Sequence, residues 1–221
     1  MGNYGFTFAG AQMQATPAGV LWWEKERLLC VSDLHLGKSD RIARRGGPLL
    51  PPYENTDTLA KLADAISQLS PTTVVCLGDS FDDLAGQDAL SEADANTLNR
   101  IMAGRRWIWI EGNHDPGPIT LGGTHLAELC IGPLTFRHIA QPGATQEVSG
   151  HFHPKARVEL RTSALNRPCF LIDSNRIVLP AFGAYTGGLR TTDPALSDLM
   201  DARAIAVLTG RQALPVPMPR R

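Results

Sequence analysis

Four short clusters in this chain bring together side chains of the kind that hold metal ions. They are Ser32-Asp33-Leu34-His35, Gly78-Asp79-Ser80-Phe81-Asp82, Gly112-Asn113-His114-Asp115 and Gly150-His151-Phe152-His153. Asp33, His35, Asp79, Asn113, His151 and His153 offer oxygen and nitrogen but no thiolate. Such a set suits manganese, magnesium, iron or zinc rather than a structural thiolate zinc site. Six donors exceed what one ion needs, and a carboxylate such as Asp79 can bridge two. Two cations about 3.5 to 4 Å apart can activate a shared hydroxide and brace both the attacking and the leaving oxygen of phosphoryl transfer. The chemistry expected is hydrolysis of a phosphate ester.

The first three clusters each follow an apolar run: Leu28 to Val31, Val74 to Leu77, and Trp107 to Ile110. Short apolar runs of this kind read as buried strands. Ligands collect at the C-terminal mouths of such strands, and alternate residues there share a face, so Asp33 and His35 are expected to grip one cation together. Leu59, Leu62, Ala63, Ile66 and Leu69 predict a helix over residues 55 to 70, capped by Asn55 or Thr56 and stopped by Pro71. A second helix is expected from Ser91 to Ala103. Strand, ligand, helix, strand is the rhythm of a βαβ layered sheet.

Residues 5 to 32 alternate as strands and form a hairpin that feeds the first central strand. The basic segment Gly37 to Gly47, followed by the proline-rich Pro48 to Pro52, reads as a loop or short helix over the strand mouth. Beyond Pro118 come short strand-like pieces: Thr124 to Ile131, Leu134 to Ile139, Gln146 to Val148, Ala156 to Arg161, Cys169 to Ile172 and Ile177 to Leu179. Ala204 to Leu208 and Ala213 to Val216 close the set. These predict a second, mostly antiparallel sheet packed on the first, with residues 217 to 221 as a frayed tail. The fold class is therefore α/β in an α+β layered form, with two packed mixed sheets flanked by helices.

Length is consistent with a single domain over residues 1 to 221, since units of up to about 250 residues are common. The hydrophobic fraction is 43% and the mean hydropathy -0.11. No run reaches the roughly 18 apolar residues of a membrane helix, and the start Met1-Gly2-Asn3-Tyr4-Gly5 lacks a signal peptide's basic and apolar regions, so no membrane partner and a cytoplasmic location are expected. A net charge of -1 and a pI near 6.6 exclude a broadly basic surface, leaving any nucleic-acid contact to a local patch. The four cysteines, Cys30, Cys76, Cys130 and Cys169, lie far apart and read as buried free thiols.

The ordered set D-x-H, G-D-x-x-D, G-N-H-D, a lone histidine and G-H-x-H over residues 33 to 153 resembles the calcineurin-like metallophosphoesterases. That resemblance implies the family's two-sheet sandwich. It also implies a first metal on Asp33, His35, Asp79 and His153, and a second on Asp79, Asn113, His138 and His151. His138 fills the lone-histidine slot by order and strand context, with His125 as its competitor. The resemblance makes His114 a catalytic residue facing substrate and Asp82 the carboxylate that orients it. Asp115 is left between second-layer support and a turn or cap role. Two divalent ions are implied, manganese first, with iron, zinc or magnesium as alternatives.

Asp83 stands where the phosphoprotein-phosphatase branch carries arginine. Closer is the likeness to the ligase-associated DNA damage response phosphoesterases, the PdeM group of bacteria. It rests on Ser32 to Lys38, Gly78 to Phe81, Trp109 to Pro116, Gly150 to Ala156 and Leu179 to Gly188. By resemblance the substrate is a DNA or nucleotide phosphodiester hydrolysed in DNA repair. The implied partners are an ATP-dependent DNA ligase, a helicase and an exonuclease-like protein; a homodimer is left open. Lys38, Arg41 and Arg45 would form a basic face that positions phosphates. Tyr185 and Phe152 could stack a base, whereas Trp107, Trp109 and Phe136 read as core. Two alternatives stand beside this reading. One is a small-molecule phosphomonoesterase or nucleotide or lipid pyrophosphatase; the other is a non-catalytic scaffold, against which the full ligand set argues.

Overall fold

The computed structural model describes residues 2–51, 53–88, 90–117, 120–159 and 164–220. Strands β1 (Tyr4–Phe8), β2 (Ala11–Ala15), β3 (Leu21–Trp23), β4 (Leu28–Val31), β5 (Thr73–Leu77), β6 (Arg106–Ile110) and β7 (Thr124–Leu126) form one sheet in sequence order. Its first four strands pair antiparallel, and β4 through β7 pair parallel. The second sheet is built from β8 (Glu128–Ile131), β9 (Leu134–Arg137), β10 (Glu147–Ser149), β11 (Lys155–Glu159), β12 (Ala164–Ile172), β13 (Arg176–Val178), β14 (Ile205–Leu208) and β15 (Leu214–Pro217). Its order is β15-β14-β12-β13-β10-β9-β8, with β11 beside β12. Among the described residues only the β9–β10 and β10–β13 pairs are parallel, so the sheet is mostly antiparallel as expected.

Alternation along each strand divides the apolar residues between layers. Cys30, Val75, Leu77, Ile108 and Ile110 meet Phe136, Val148, Phe170, Ile177 and Val207 between the sheets. Leu29, Val31, Val74, Cys76, Trp107 and Trp109 face the other way. They pack on Leu59, Leu62 and Ile66 of α2 (Glu54–Leu69) and on Leu98 and Ile101 of α3 (Glu92–Met102). The outer face of the second sheet packs on Leu196, Met200 and Met218, with Leu196 from the short α4 (Pro194–Ser197).

Four expectations are corrected here. The run Thr124 to Ile131 is not one strand of the second sheet: it breaks at Ala127, leaving β7 in the first sheet and β8 in the second. Neither Asn55 nor Thr56 caps α2, whose N-cap is Tyr53; the Asn55 amide oxygen accepts from the Gly37 N–H (2.8 Å) and the Thr56 hydroxyl donates to Asp94 (3.0 Å). The end is docked rather than frayed. Met218 is buried, its N–H donates to Ala204 O (3.0 Å), and Arg220 donates to Ser197 O (2.8 Å) and Met200 O (3.1 Å). Cys130 is exposed while the other three thiols are buried. Arg161, Pro52 and Arg221 lie outside the described residues. The basic segment after His35 forms α1 (Lys38–Arg44).

Candidate active site

The clusters converge at one end of the sandwich. Asp33 and His35 follow β4, Asp79 follows β5, and Asn113 and His114 follow β6. From the second sheet, His138 follows β9 and His151 and His153 follow β10. Strand alternation does not aim Asp33 and His35, because both lie beyond the end of β4 in left-handed backbone, with φ of 55° and 47°. Asp79 (46°), His151 (69°) and His153 (47°) share that conformation. Each such residue costs about 1 to 3 kcal/mol and persists only where its surroundings hold it.

Those surroundings are visible. The two loops after β4 and β5 run side by side, joined from His35 N to Asp79 O (2.9 Å), Leu36 N to Ser80 O (2.9 Å) and Asp82 N to Leu36 O (2.9 Å). Asp115 is buried and accepts from the backbone N–H groups of Asp79 (2.9 Å), Ser80 (2.8 Å), Phe81 (3.1 Å) and Gly112 (3.1 Å), tying the loop after β5 to the loop after β6. Burial lifts its carboxyl to about 6 against the pull of these N–H groups. This settles its role as support for the site rather than a helix cap.

Among the described residues, donor atoms within 4.8 Å of one another form three groups: Asp33, His35 and His153; Asp79, His138 and His151; and His35, Asp82 and His114. In the third, His35 Nδ1 and His114 Nδ1 are taken up by hydrogen bonds to Asp82, which leaves the first two as the candidate cation sites. In the first, His153 Nε2 lies 3.1 Å from Asp33 Oδ1 and 3.4 Å from His35 Nε2. Asp33 Oδ2 already accepts from Ser32 Oγ (2.5 Å) and His151 N (3.0 Å), while its buried Oδ1 has no hydrogen bond. A buried carboxylate oxygen left without a hydrogen bond is costly. In the second group, His138 Nδ1 meets the carbonyl of Leu77 at 2.8 Å. A carbonyl only accepts, so Nδ1 carries the hydrogen, and in the neutral ring Nε2 keeps the lone pair. That lone pair faces Asn113 Oδ1 (3.0 Å), His151 Nδ1 (3.3 Å) and Asp79 Oδ2 (3.4 Å).

Donors about 2.1 Å from a cation stand about 3.0 to 3.4 Å apart at octahedral or tetrahedral angles, which is the spacing found here. His138 Nδ1 lies 4.0 Å from Asp33 Oδ1, so the groups adjoin. The field agrees. Burial pushes His138 down, but the hydrogen bond to Asp79 and the charges of Asp33 and Asp79 outweigh it and raise its pKa. Burial likewise raises Asp79, and His138 and His114 overcome that to hold it near about 2. His151 is lowered by burial and by the neighbouring His138. The carboxylates of Asp33 and Asp79 that raise His138 would equally favour divalent cations.

Asp82 departs from expectation. Its carboxylate does not reach His114: Oδ1 accepts from His35 Nδ1 (2.7 Å) and Oδ2 from Arg41 Nε, while only its main-chain carbonyl meets His114 Nδ1 (2.9 Å). The reason is the pairing of the two loops, which lays Asp82 alongside His35. His114 donates its backbone N–H to Asp79 Oδ1 (2.8 Å) and sets its half-buried ring edge-on to His35 at 5.3 Å. Nδ1–H is therefore committed to Asp82 O and Nε2 is free.

The basic face is largely engaged within the protein. Lys38 Nζ is 3.8 Å from Asp82, Arg41 is bonded to it, and Arg44 binds Asp40 and Asp83. Arg45 is exposed. Tyr185 is exposed, in left-handed backbone (φ 56°), with its hydroxyl donating to Pro51 O (3.3 Å). Phe152 packs edge-on against His151 and is half-buried. His125 lies in β7 and stacks on Trp109 at 6.5 Å, and it is His138 that stands among the donor groups, in the place for which the two competed. Trp107, Trp109 and Phe136 are core.

The family model for calcineurin-like phosphoesterases matches residues 26–171. The chain belongs to that family. It is accordingly a metal-dependent phosphoester hydrolase, with donor groups in place for the ions. Its structure is similar to that of the nuclease MPE from Pseudomonas putida, with a TM-score of 0.77 and 26% sequence identity over 97% of this chain and 100% of the other. Comparison with curated protein sequences gives no match. Among the described residues no helix is long and apolar enough to cross a membrane.

Proposed function

We propose that the protein is a dinuclear-metal phosphodiesterase acting on DNA or nucleotide phosphodiesters, with a role in DNA repair. The observation that carries this reading is the pair of adjoining groups of carboxylate, amide and imidazole donors, each closing on a common point. In this reading Asp33, His35 and His153 would hold one ion, and Asn113, His138 and His151 the other, with Asp79 available to both. Divalent cations so placed, manganese foremost, supply Lewis-acid charge and water acidified toward neutrality.

The remaining work falls to the chain. His114 Nδ1–H is pinned to Asp82 O, which leaves Nε2 as the atom through which the ring can neutralise a phosphoryl oxygen or pass a proton to the departing one. Asp115 fixes the loops so that Asp79 and His114 keep their relative place. Arg45 and Tyr185, both exposed, are assigned to the flanking phosphate and base. The nuclease character of the similar structure supports the phosphodiester substrate.

The test is hydrolysis of bis(p-nitrophenyl) phosphate, p-nitrophenyl phosphate and oligonucleotides with metal content measured alongside. Manganese-dependent cleavage of the diester and of DNA, with at least about tenfold less on the monoester, is expected. Preference for the monoester would move the function to a small-molecule phosphatase, and no bound divalent metal would remove the dinuclear reading.

A further inference from the structure

We infer that Arg41 is a positioning residue that acts through Asp82 to fix His35 in the Nδ1–H tautomer and so presents the His35 Nε2 lone pair to the cation site. The inference rests on the proposed function only in naming a cation as what that lone pair addresses. Asp82 is fully buried and its two oxygens have different guests: Oδ1 takes the His35 Nδ1–H at 2.7 Å and Oδ2 takes the Arg41 Nε–H. Lys38 Nζ, 3.8 Å from Oδ1, adds charge without a hydrogen bond. The Asp82 backbone N–H is held by Leu36 O (2.9 Å), so the carboxylate's own anchor is the residue beside the histidine it steers.

Which imidazole nitrogen carries the hydrogen is set by the bond the other nitrogen makes. Neutral histidine in water prefers Nε2–H, and that hydrogen on His35 would point at His153 Nε2, 3.4 Å away. Asp82 reverses the preference only while its plane is fixed with Oδ1 turned to Nδ1. Arg41 fixes it: a planar, permanently charged group bonded to one oxygen leaves the other turned to the imidazole. Arg41 is itself half-buried, the third residue beyond Lys38 on α1, and so binds this short helix to the loop after β5. Outer partners of metal-binding histidines are known to change metal affinity about 10- to 100-fold.

The experiment uses the full chain without metal, labelled with ¹⁵N on histidine, and long-range ¹H–¹⁵N correlation spectra that distinguish the two tautomers. Manganese affinity is measured by titration calorimetry on the same samples. Wild type is expected to show His35 with hydrogen on Nδ1. Arg41→Met moves it toward Nε2–H and weakens manganese binding about 10- to 100-fold; Arg41→Lys retains part of both. Arg41→Gly recovers both with millimolar guanidinium, which separates positioning from a folding defect. Wild-type tautomer and affinity in Arg41→Met, with only a raised KM, would overturn the inference and make Arg41 a substrate contact. A wild-type chain that binds no divalent ion would sink the proposed function and leave the tautomer to decide this point.

Discussion

Gly78 lies so close to the ring of His138 that a Cβ on it would stand 2.4 Å from Nδ1 and 2.5 Å from Cγ. Its φ of 72° is also one that side chains resist. Gly78→Ala therefore moves His138 off the Leu77 carbonyl that sets its tautomer. The expected result is a folded protein with about tenfold or greater loss of manganese affinity by calorimetry; unchanged affinity would show that the ring has room to shift.

Asp115 satisfies four backbone N–H groups at once. Asp115→Ala leaves them buried without an acceptor, at about 1 to 3 kcal/mol each where water cannot enter. Urea titration is expected to show a loss of at least about 3 kcal/mol and the isolated protein to lose metal. Asp115→Asn keeps one acceptor oxygen and falls between.

Asp79→Asn and His114→Ala separate holding a cation from moving a proton. The first is expected to reduce both metal content and turnover to near background. The second keeps metal while kcat falls about 10²-fold or more. Elemental analysis of the two purified variants decides, and a metal-free His114→Ala would reassign that residue as a ligand.

The thiols make a prediction for alkaline pH. Burial pushes Cys169 up to about 12, and burial together with the neighbouring Cys76 raises Cys30. Cys76 rises through burial and the nearby Asp115 charge. A folded-state pKa above the unfolded value means the folded chain keeps protons that the unfolded chain loses. The stabilisation is whole below roughly pH 8.5 to 9, where a free thiol titrates, and falls away as pH climbs toward 12. Urea midpoints measured from pH 8 to 10.5 should decline, less steeply in Cys169→Ala. A thiol reagent at pH 8 should label one cysteine, Cys130, before unfolding and all four after.

Much of the site was legible because its chemistry is local. A glycine and one or two donors at a strand end are recognisable within five residues, and Asp33, His35, Asp79, Asn113, His138, His151 and His153 all meet where their order implied. The target of Asp82 was hidden, because His35 and His114 are both plausible partners until the pairing of the loops after β4 and β5 is known. The break at Ala127 was hidden for a related reason: Thr124 to Ile131 has strand character throughout, and only the packing decides which half joins which sheet. The tail's polar and proline-rich composition gave no sign that Met218 fills the third core cluster.

Four of the seven donors follow strands of the first sheet and three follow strands of the second, and each group draws on both, so ions held there would work as a clasp between the layers. Slight parting of the sandwich unfastens it while both sheets remain whole. In rising denaturant, metal and activity should therefore leave the protein before the far-ultraviolet signal of its strands changes.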